Sequence, residues 1–333
     1  MVESIKYGVI GLGFFGEIHA EVLSSLCGVK LSAVSTRRPE RLRWIAETYN
    51  VNKTYTDYKK LLTDEEIQAV SIVTHVDNHK EIAIAALNAG KHVFLEKPMA
   101  GNVEDCNAII KAADSARGKF MVGHICRFDP RVSLARQAVQ SGRIGKIISI
   151  HATRNLPANI GAEVLGKISP LMGDGIHDID IMLWLTGEKV KTVYARNVKY
   201  RDFKNPDGGW AMLNFESGAV GVVETLWCLP ENTSFSIDAR MEIIGTEGAI
   251  YIDCGNAGVT VNDSNGIKKP DSIYWPKVAG KRCGALRTEL EYFTECIRSD
   301  ISPSIITPQE SREAVTVVSA AEKSAKSGNV EKL

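Results

Sequence analysis

One stretch constrains the chain more than any other: a short apolar run that breaks at glycines and restarts as a helix. In "IKYGVIGLGFFGEIHAEVL", Ile5–Ile10 reads as a strand, and Gly11, Gly13 and Gly16 form a G-x-G-x-x-G turn. A helical pattern through Ile18, Val22 and Leu26 follows. The rhythm then repeats. Val29–Ser35 is a strand, and "PERLRWIAETYN" is a helix with Pro39 in its first turn. "AVSIVT" (Ala69–Thr74) precedes the helix "HKEIAIAALNAG", which Gly90 closes as a C-cap. "HVFLEK", the helix "NVEDCNAIIKAADSARG" and the strand "FMVGH" (Phe120–His124) complete the series. Apolar strands alternating with amphipathic helices predict a parallel sheet covered on both faces.

Past about residue 124 the pattern changes. "IGKIISIHATRN", "KTVYARNVKY", "WAMLNFE", "AVGVVETLWCL", "SFSIDARMEIIG" and "GAIYIDC" are strand-like and separated by turn signals such as "NPDGG". Links of hairpin length favour antiparallel pairing. One helix interrupts them early, Asp174 to Leu185, and two more, "LRTELEYFTECIRSD" and "PQESREAVTVVSAAEKSAKSG", close the chain. The expected fold class is α/β: an N-terminal Rossmann dinucleotide-binding domain (1–123) and a C-terminal α+β domain (124–333) with a large, mostly antiparallel open sheet. A length of 333 residues fits two cores better than one. Apolar strands such as "GAVGVVETLW" on an open sheet need covering, which points to an oligomer.

Charge narrows the partners. Forty basic and forty acidic residues leave a formal net charge of zero, which argues against nucleic acid as a partner. No apolar run approaches the ~18 residues of a membrane span. "MVESIKYGVIGLG" goes directly into a strand without a signal-peptide layout. The seven cysteines (27, 106, 126, 228, 254, 283, 296) are scattered and lack a Cys-x-x-Cys pair. They read as reduced thiols of a cytoplasmic protein, with no zinc site and no metal expected. "NTS" at Asn232 matches a glycosylation pattern but has no secretion signal to support it.

The glycine loop carries more than its own pattern, because it follows a strand and opens a helix. Gly11 permits the tight turn, Gly13 lets backbone approach a pyrophosphate, and Gly16 lets helix and strand pack closely. Phe14 and Phe15 lie in the same loop. The helix N-terminus offers unpaired N–H groups to the phosphates. A methyltransferase loop remains a second reading. About 20 residues on, an NAD site places an acid on the ribose 2′-hydroxyl. Here Ser35 and Thr36 stand in its place, followed by Arg37 and Arg38. Loss of the carboxylate removes repulsion from a 2′-phosphate, and guanidinium groups bind it. NADP(H) is therefore favoured and NAD(H) is the alternative, held by other contacts.

With "GLGFFG", "VTHVDNHKEIAIAALNAGKHVFLEKP", "GHICRFDP" and "GDGIHDIDIMLW" in order, the chain resembles the glucose–fructose oxidoreductase/inositol dehydrogenase family (Gfo/Idh/MocA). The resemblance runs nearly end to end, and its most specific mark is Glu96-Lys97-Pro98. It implies an NAD(P)-dependent dehydrogenase acting on a secondary alcohol of a sugar, sugar derivative or cyclitol. It also implies a homodimer or homotetramer built on the C-terminal sheet. Lys97 would face the carbinol beside the nicotinamide, and the Lys97–Pro98 peptide is often cis in the family. A lysine at the end of a parallel strand also sits on the ligand-binding rim of the sheet, where an ammonium stabilises a developing alkoxide. Glu96 and Thr74 fall on the same cofactor-facing side.

In "GDGIHDID", His177, Asp180, Ile181 and Trp184 share one helix face, and His177 is the natural proton shuttle. The chain departs from the family where an aspartate is expected four residues before the histidine, since Gly173 stands there. Asp174 is one step away, a rotation of about 100° on a helix. Either a reshaped turn brings Asp174 to the site or the acid is missing. That second case keeps open a non-catalytic dinucleotide-binding regulator. His75 replaces the family's proline after Thr74, so it either lines the nicotinamide side or reshapes the loop. His79 matches a helix-start histidine with a structural role. His124 and Arg127 are candidates for substrate contact, with a hinge salt bridge as the alternative for Arg127.

Overall fold

The computed structural model describes residues 4–253, 258–264 and 266–333. Two compact units emerge. The first takes the chain up to Phe128 together with Tyr274–Arg312, and the second takes Asp129–Ile273 and Glu313 onward.

In the first unit the strands are β1 (Ile5–Ile10), β2 (Val29–Ser35), β3 (Lys53–Tyr55), β4 (Ala69–Ile72), β5 (His92–Glu96) and β6 (Phe120–Gly123). They form one sheet in the order β3-β2-β1-β4-β5-β6, and every pairing is parallel. The connecting helices are α1 (Phe14–Ser25), α2 (Pro39–Tyr49), α3 (Tyr58–Leu62), α4 (His79–Asn88) and α5 (Val103–Ser115). Val9, Val34, Val70, Val93, Phe94 and Met121 are fully buried. Their strands read as continuous apolar runs because both faces are covered. Strand order reverses between β1 and β4, so the crevice beyond their C-terminal ends is where a ligand of such a sheet binds. Gly11, Thr74, Lys97 and His124 all follow strand ends on that edge.

The second unit opens with α6 (Pro130–Gln140), followed by β7 (Ile147–Pro157), α7 (Ala158–Leu165), a π-helical turn at Leu171–Gly175, and α8 (Ile176–Thr186). Strands β8 (Val190–Val198), β9 (Gly208–Phe215), β10 (Val220–Leu229), β11 (Asp238–Gly245) and β12 (Ala249–Asp253) follow. The sheet runs β12-β11-β7-β10-β9-β8 and ends on a short strand at Glu331–Lys332. All neighbours are antiparallel except β7 and β10, which pair in parallel. Helices α6 and α7 were not expected from the sequence. For α6 a signal existed: Asp129 caps it by accepting from the Arg131 N–H, and Pro130 takes its first position. Cys254, counted among the scattered thiols, lies outside the described residues.

Helix α9 (Ala285–Arg298) belongs with the first unit, so a single division at 123/124 does not describe the chain. Leu286, Leu290 and Phe293 on its inner face are fully buried, and the Phe293 ring meets Phe94 edge-on at 5.8 Å. Its Thr294 hydroxyl pairs with Tyr7 at 3.0 Å, and Arg298 donates to the Cys27 carbonyl at 2.9 Å. Helical periodicity shows that α9 buries one face but cannot say against which sheet. The last helix is α10 (Pro308–Ser327), whose Ser324 hydroxyl accepts from the Ala195 N–H at 2.9 Å. Truncation of Phe293 to alanine should destabilise the protein by roughly 3–5 kcal/mol, the usual cost of a vacated buried aromatic site. Denaturant melts of the wild type and variant measure this directly.

Candidate active site

The glycine loop is shaped by two separate demands. Gly11 has φ +96°, and a Cβ there would lie 2.3 Å from the Val73 carbonyl oxygen. A Cβ on Gly16 would lie 1.9 Å from the Gly11 carbonyl oxygen. Both glycines are therefore required by the protein's own packing. Gly13 differs, because a Cβ would meet nothing within 4 Å and its φ of −75° suits any residue. It caps α1 with no side-chain hydrogen bond, leaving an open cradle at the helix N-terminus. That space and those N–H groups suit an anion such as a pyrophosphate. Phe14 is exposed beside it, and Phe15 turns inward against His19 and Trp275.

The two arginines past β2 have different surroundings. Arg38 donates to the Leu12 carbonyl at 2.7 Å, bracing the glycine loop from outside. Arg41 joins it, pairing with Glu17 at 2.5 Å. Arg37 is exposed just past the strand end, and Thr36 pairs its N–H with the Tyr55 carbonyl.

At the end of β5, Lys97 is half-buried and its peptide bond to Pro98 is cis. Glu96, expected to face the cofactor, instead turns into the protein and is 6% exposed. Its Oε2 accepts from the Lys97 backbone N–H at 3.2 Å. Its Oε1 lies 3.2 Å from His19 Nε2, a close contact without hydrogen-bond alignment. His19 Nδ1 reaches the Ser71 hydroxyl at 2.9 Å. The fully buried His19 thus links α1, β4 and β5 beneath the crevice, a connection that sequence reading missed. His79 is also buried, with its two ring nitrogens against the carbonyls of Pro98 (2.8 Å) and Thr74 (3.1 Å). Burial lowers its pKa, opposed by those hydrogen bonds. It ties the loop after β4 to the loop after β5, a structural role. His75 is exposed on the first of these loops.

His124 and Arg127 are both buried. Arg127 is committed to protein partners, donating to the Ile305 carbonyl at 2.7 Å and Glu310 at 3.0 Å.

In the second unit, Asp174 sits in the π-helical turn and His177 in the first turn of α8. A Cβ on Gly173 would lie 2.6 Å from the Trp227 ring, and the Trp227 indole N–H donates to Asp174 Oδ2 at 2.9 Å. Next along α8, Asp178 forms a bidentate pair with Arg154 of β7, both bonds 2.9 Å long and both side chains buried. Burial pushes the Asp178 carboxyl up, Arg154 pulls it back, and the neighbouring Asp174 adds to the rise. Removal of one partner from a buried pair costs roughly 3–5 kcal/mol, so this contact anchors the helix that carries His177. Trp227 and Arg154 escaped sequence reading. Their only trace was the inward alternation of two strands.

The chain matches two family models. One, described as "Oxidoreductase family, NAD-binding Rossmann fold", covers residues 5–124. The other, the "GFO/IDH/MocA C-terminal domain", covers 132–251. It is 30% identical over 327 residues to a myo-inositol 2-dehydrogenase of Thermotoga maritima, with 96% of each chain covered. The protein belongs to the Gfo/Idh/MocA oxidoreductase family. Among other relatives, the scyllo-inositol 2-dehydrogenase (NAD(+)) of Bacillus subtilis is 30% identical, over 92% of this chain and 90% of that one. The structure of a Lactobacillus casei scyllo-inositol dehydrogenase with bound NAD(H) and scyllo-inositol superposes with a TM-score of 0.86 at 26% identity, covering 99% of each chain. This Gfo/Idh/MocA member is accordingly an NAD(P)-dependent oxidoreductase of CH–OH groups. Among its described residues no cluster has metal-ligating geometry, and no helix is long and apolar enough to cross a membrane.

Gly13→Ala separates the two kinds of glycine. It should lower the thermal midpoint by only a few degrees, since a Cβ meets open space and the cap loses roughly 0.5–1 kcal/mol. Nicotinamide dinucleotide binding, followed by fluorescence titration, should weaken at least ~10-fold as the added methyl enters the cradle.

Proposed function

We propose that this oxidoreductase reversibly oxidises a secondary hydroxyl of a cyclitol or closely related polyol. Support comes from the lysine at the rim of the parallel sheet, beside a glycine cradle that the protein's own packing leaves open. It also comes from relatives named for inositols across nearly the whole chain. The bound nicotinamide supplies the hydride chemistry. Gly11 to Gly16, with Phe14 and Phe15, hold the pyrophosphate side of the dinucleotide, and Thr74 and His75 border its nicotinamide side.

Lys97 donates a hydrogen bond to the reacting oxygen and stabilises alkoxide character as the C–H bond is broken. His177 takes the hydroxyl proton in oxidation and returns it in reduction. Asp174, in the turn before α8, is the acid assigned to this reaction. Glu96 supports the Lys97 backbone from below. Arg127 serves its ion pair rather than the substrate, whereas His124 remains on the substrate side. Replacement of Lys97 by alanine should lower kcat by about 10²–10³ while dinucleotide affinity is retained. Undiminished turnover would remove this mechanism.

NADP(H) preference now rests on Arg37. No carboxylate stands at Ser35 or Thr36 to repel a 2′-phosphate, and the Arg37 guanidinium is exposed at that strand end. Arg37→Ala should weaken NADPH roughly 10- to 100-fold, the range of a charge-assisted hydrogen bond, with little change for NADH. Arg38→Ala should weaken both, because its bond to Leu12 braces the loop that both share. Nicotinamide fluorescence titrations of the three proteins decide the matter. Tighter NADH binding by the wild type would assign NAD instead.

We also propose a homodimer or homotetramer built on the open face of the second sheet. Register aligns Tyr251, Glu242, His151, Val222, Met212 and Tyr194 in one row across six strands. Tyr251 and Met212 are 70% and 47% exposed, a large apolar area for a protein to leave in water. No disulfide joins the six cysteines among the described residues, and the setting proposed for the protein is a reducing, cytoplasmic one.

A further inference from the structure

Trp227 is locked in place from several sides. It lies on β10, is 2% exposed and packs with Leu156 and Leu165. Its backbone N–H donates to the Asp207 carbonyl at 2.8 Å, and its carbonyl accepts from Arg201 at 2.5 Å. A Cβ on Gly161 of α7 would lie 2.5 Å from the Trp227 Cβ, so that helix closes on the residue's near end. The far end of the ring fills the volume a side chain at 173 would need, 2.6 Å from an ideal Cβ. From that fixed position the indole N–H meets Asp174 Oδ2 at 2.9 Å.

We propose that Trp227 is the positioning residue for the acid of this site. Its ring excludes any side chain at 173, and its N–H orients the Asp174 carboxylate, so that the polyol-facing acid is supplied from 174. The inference rests on the reading that Asp174 faces the substrate. A carboxylate with one oxygen held by an immobile donor keeps one orientation, which fixes the direction in which the group as a whole can meet a hydroxyl. A buried tryptophan suits this task because a buried indole N–H needs an acceptor and the ring has little freedom to move away from it.

The test compares Trp227→Phe, Asp174→Asn and the double variant, assayed with myo-inositol and scyllo-inositol and either dinucleotide. Trp227→Phe keeps an aromatic ring and deletes the N–H. It should lower kcat/KM about 10-fold, Asp174→Asn should lower it about 100-fold, and the double variant should be no worse than Asp174→Asn alone. NADH or NADPH affinity should be unchanged throughout. Full activity of Asp174→Asn would remove Asp174 from the site and the reading beneath the proposal. An impaired Asp174→Asn with a fully active Trp227→Phe, or with additive losses in the double variant, would overturn the proposal and leave Asp174's role standing.

Two further measurements require no turnover. The chain has five tryptophans, so the Trp227 indole N–H is one of five side-chain signals in a 15N–1H spectrum, assigned by its disappearance in Trp227→Phe. It should move upfield in Asp174→Asn, and an unmoved signal would refute the hydrogen bond. If Trp227→Phe does not fold, Trp227→Tyr provides the assignment. Gly173→Ala should lower the thermal midpoint, and Trp227→Leu in the same chain should relieve that loss. Tolerance of Gly173→Ala with Trp227 intact would overturn the steric half of the proposal.

Discussion

The close approach of α1 to the turn after β1 governs the first unit. At Gly16 a Cβ would sit 1.9 Å from the Gly11 carbonyl oxygen, so the helix can start there only because neither residue carries a side chain in the way. That packing sets the helix N-terminus at the edge where strand order reverses. It also sets His19, one turn further on, against Ser71 and Glu96 at 2.9 and 3.2 Å. Glu96 in turn holds the Lys97 backbone. The geometry of a phosphate cradle and the placement of a lysine two strands away therefore share one origin.

The second unit solves a comparable problem with side chains instead of glycines. The turn before α8 and the start of that helix carry three carboxylates and a histidine within the seven residues Asp174 to Asp180, which is unfavourable unless the charges are partnered. Arg154 takes Asp178 through two hydrogen bonds, and Trp227 takes Asp174 through one. Both donors come from inward-facing positions of the sheet, on β7 and β10, which are the parallel neighbours. The departure at Gly173 is then a packing consequence: the ring that serves Asp174 uses the space beside Gly173.

Much of the candidate site was legible because its signals are local. The order of glycines after a strand, the Lys97-Pro98 pair at a strand end and the histidine at a helix start each lie within a few residues of one another. Less legible was which charges are already spent. Arg38 and Arg37 look alike in sequence and both are exposed, yet it is Arg38 that braces Leu12, 26 residues earlier. Arg127 looked equally suited to substrate or salt bridge, and its partners lie at Ile305 and Glu310, nearly 180 positions away. Glu96 turned inward because an acceptor for the Lys97 N–H and a neighbour for His19 were needed below the loop, a need no local pattern expresses.

The sequence by itself determined most of the elements and the fold class, because helical and strand periodicities of buried residues are properties of a few consecutive positions. It determined the crevice as well, since a parallel sheet with a glycine turn after its first strand has one ligand-binding edge. Only the tertiary structure decided what covers what. Helix α9 returned to the first sheet, where Phe293 meets Phe94, and β7 paired in parallel with β10 across two intervening helices and two strands. Trp227 came to occupy the space of a side chain that residue 173 lacks. Each of these depends on surfaces meeting across long stretches of chain, where complementarity of volume and charge selects the partner and no sequence spacing encodes it.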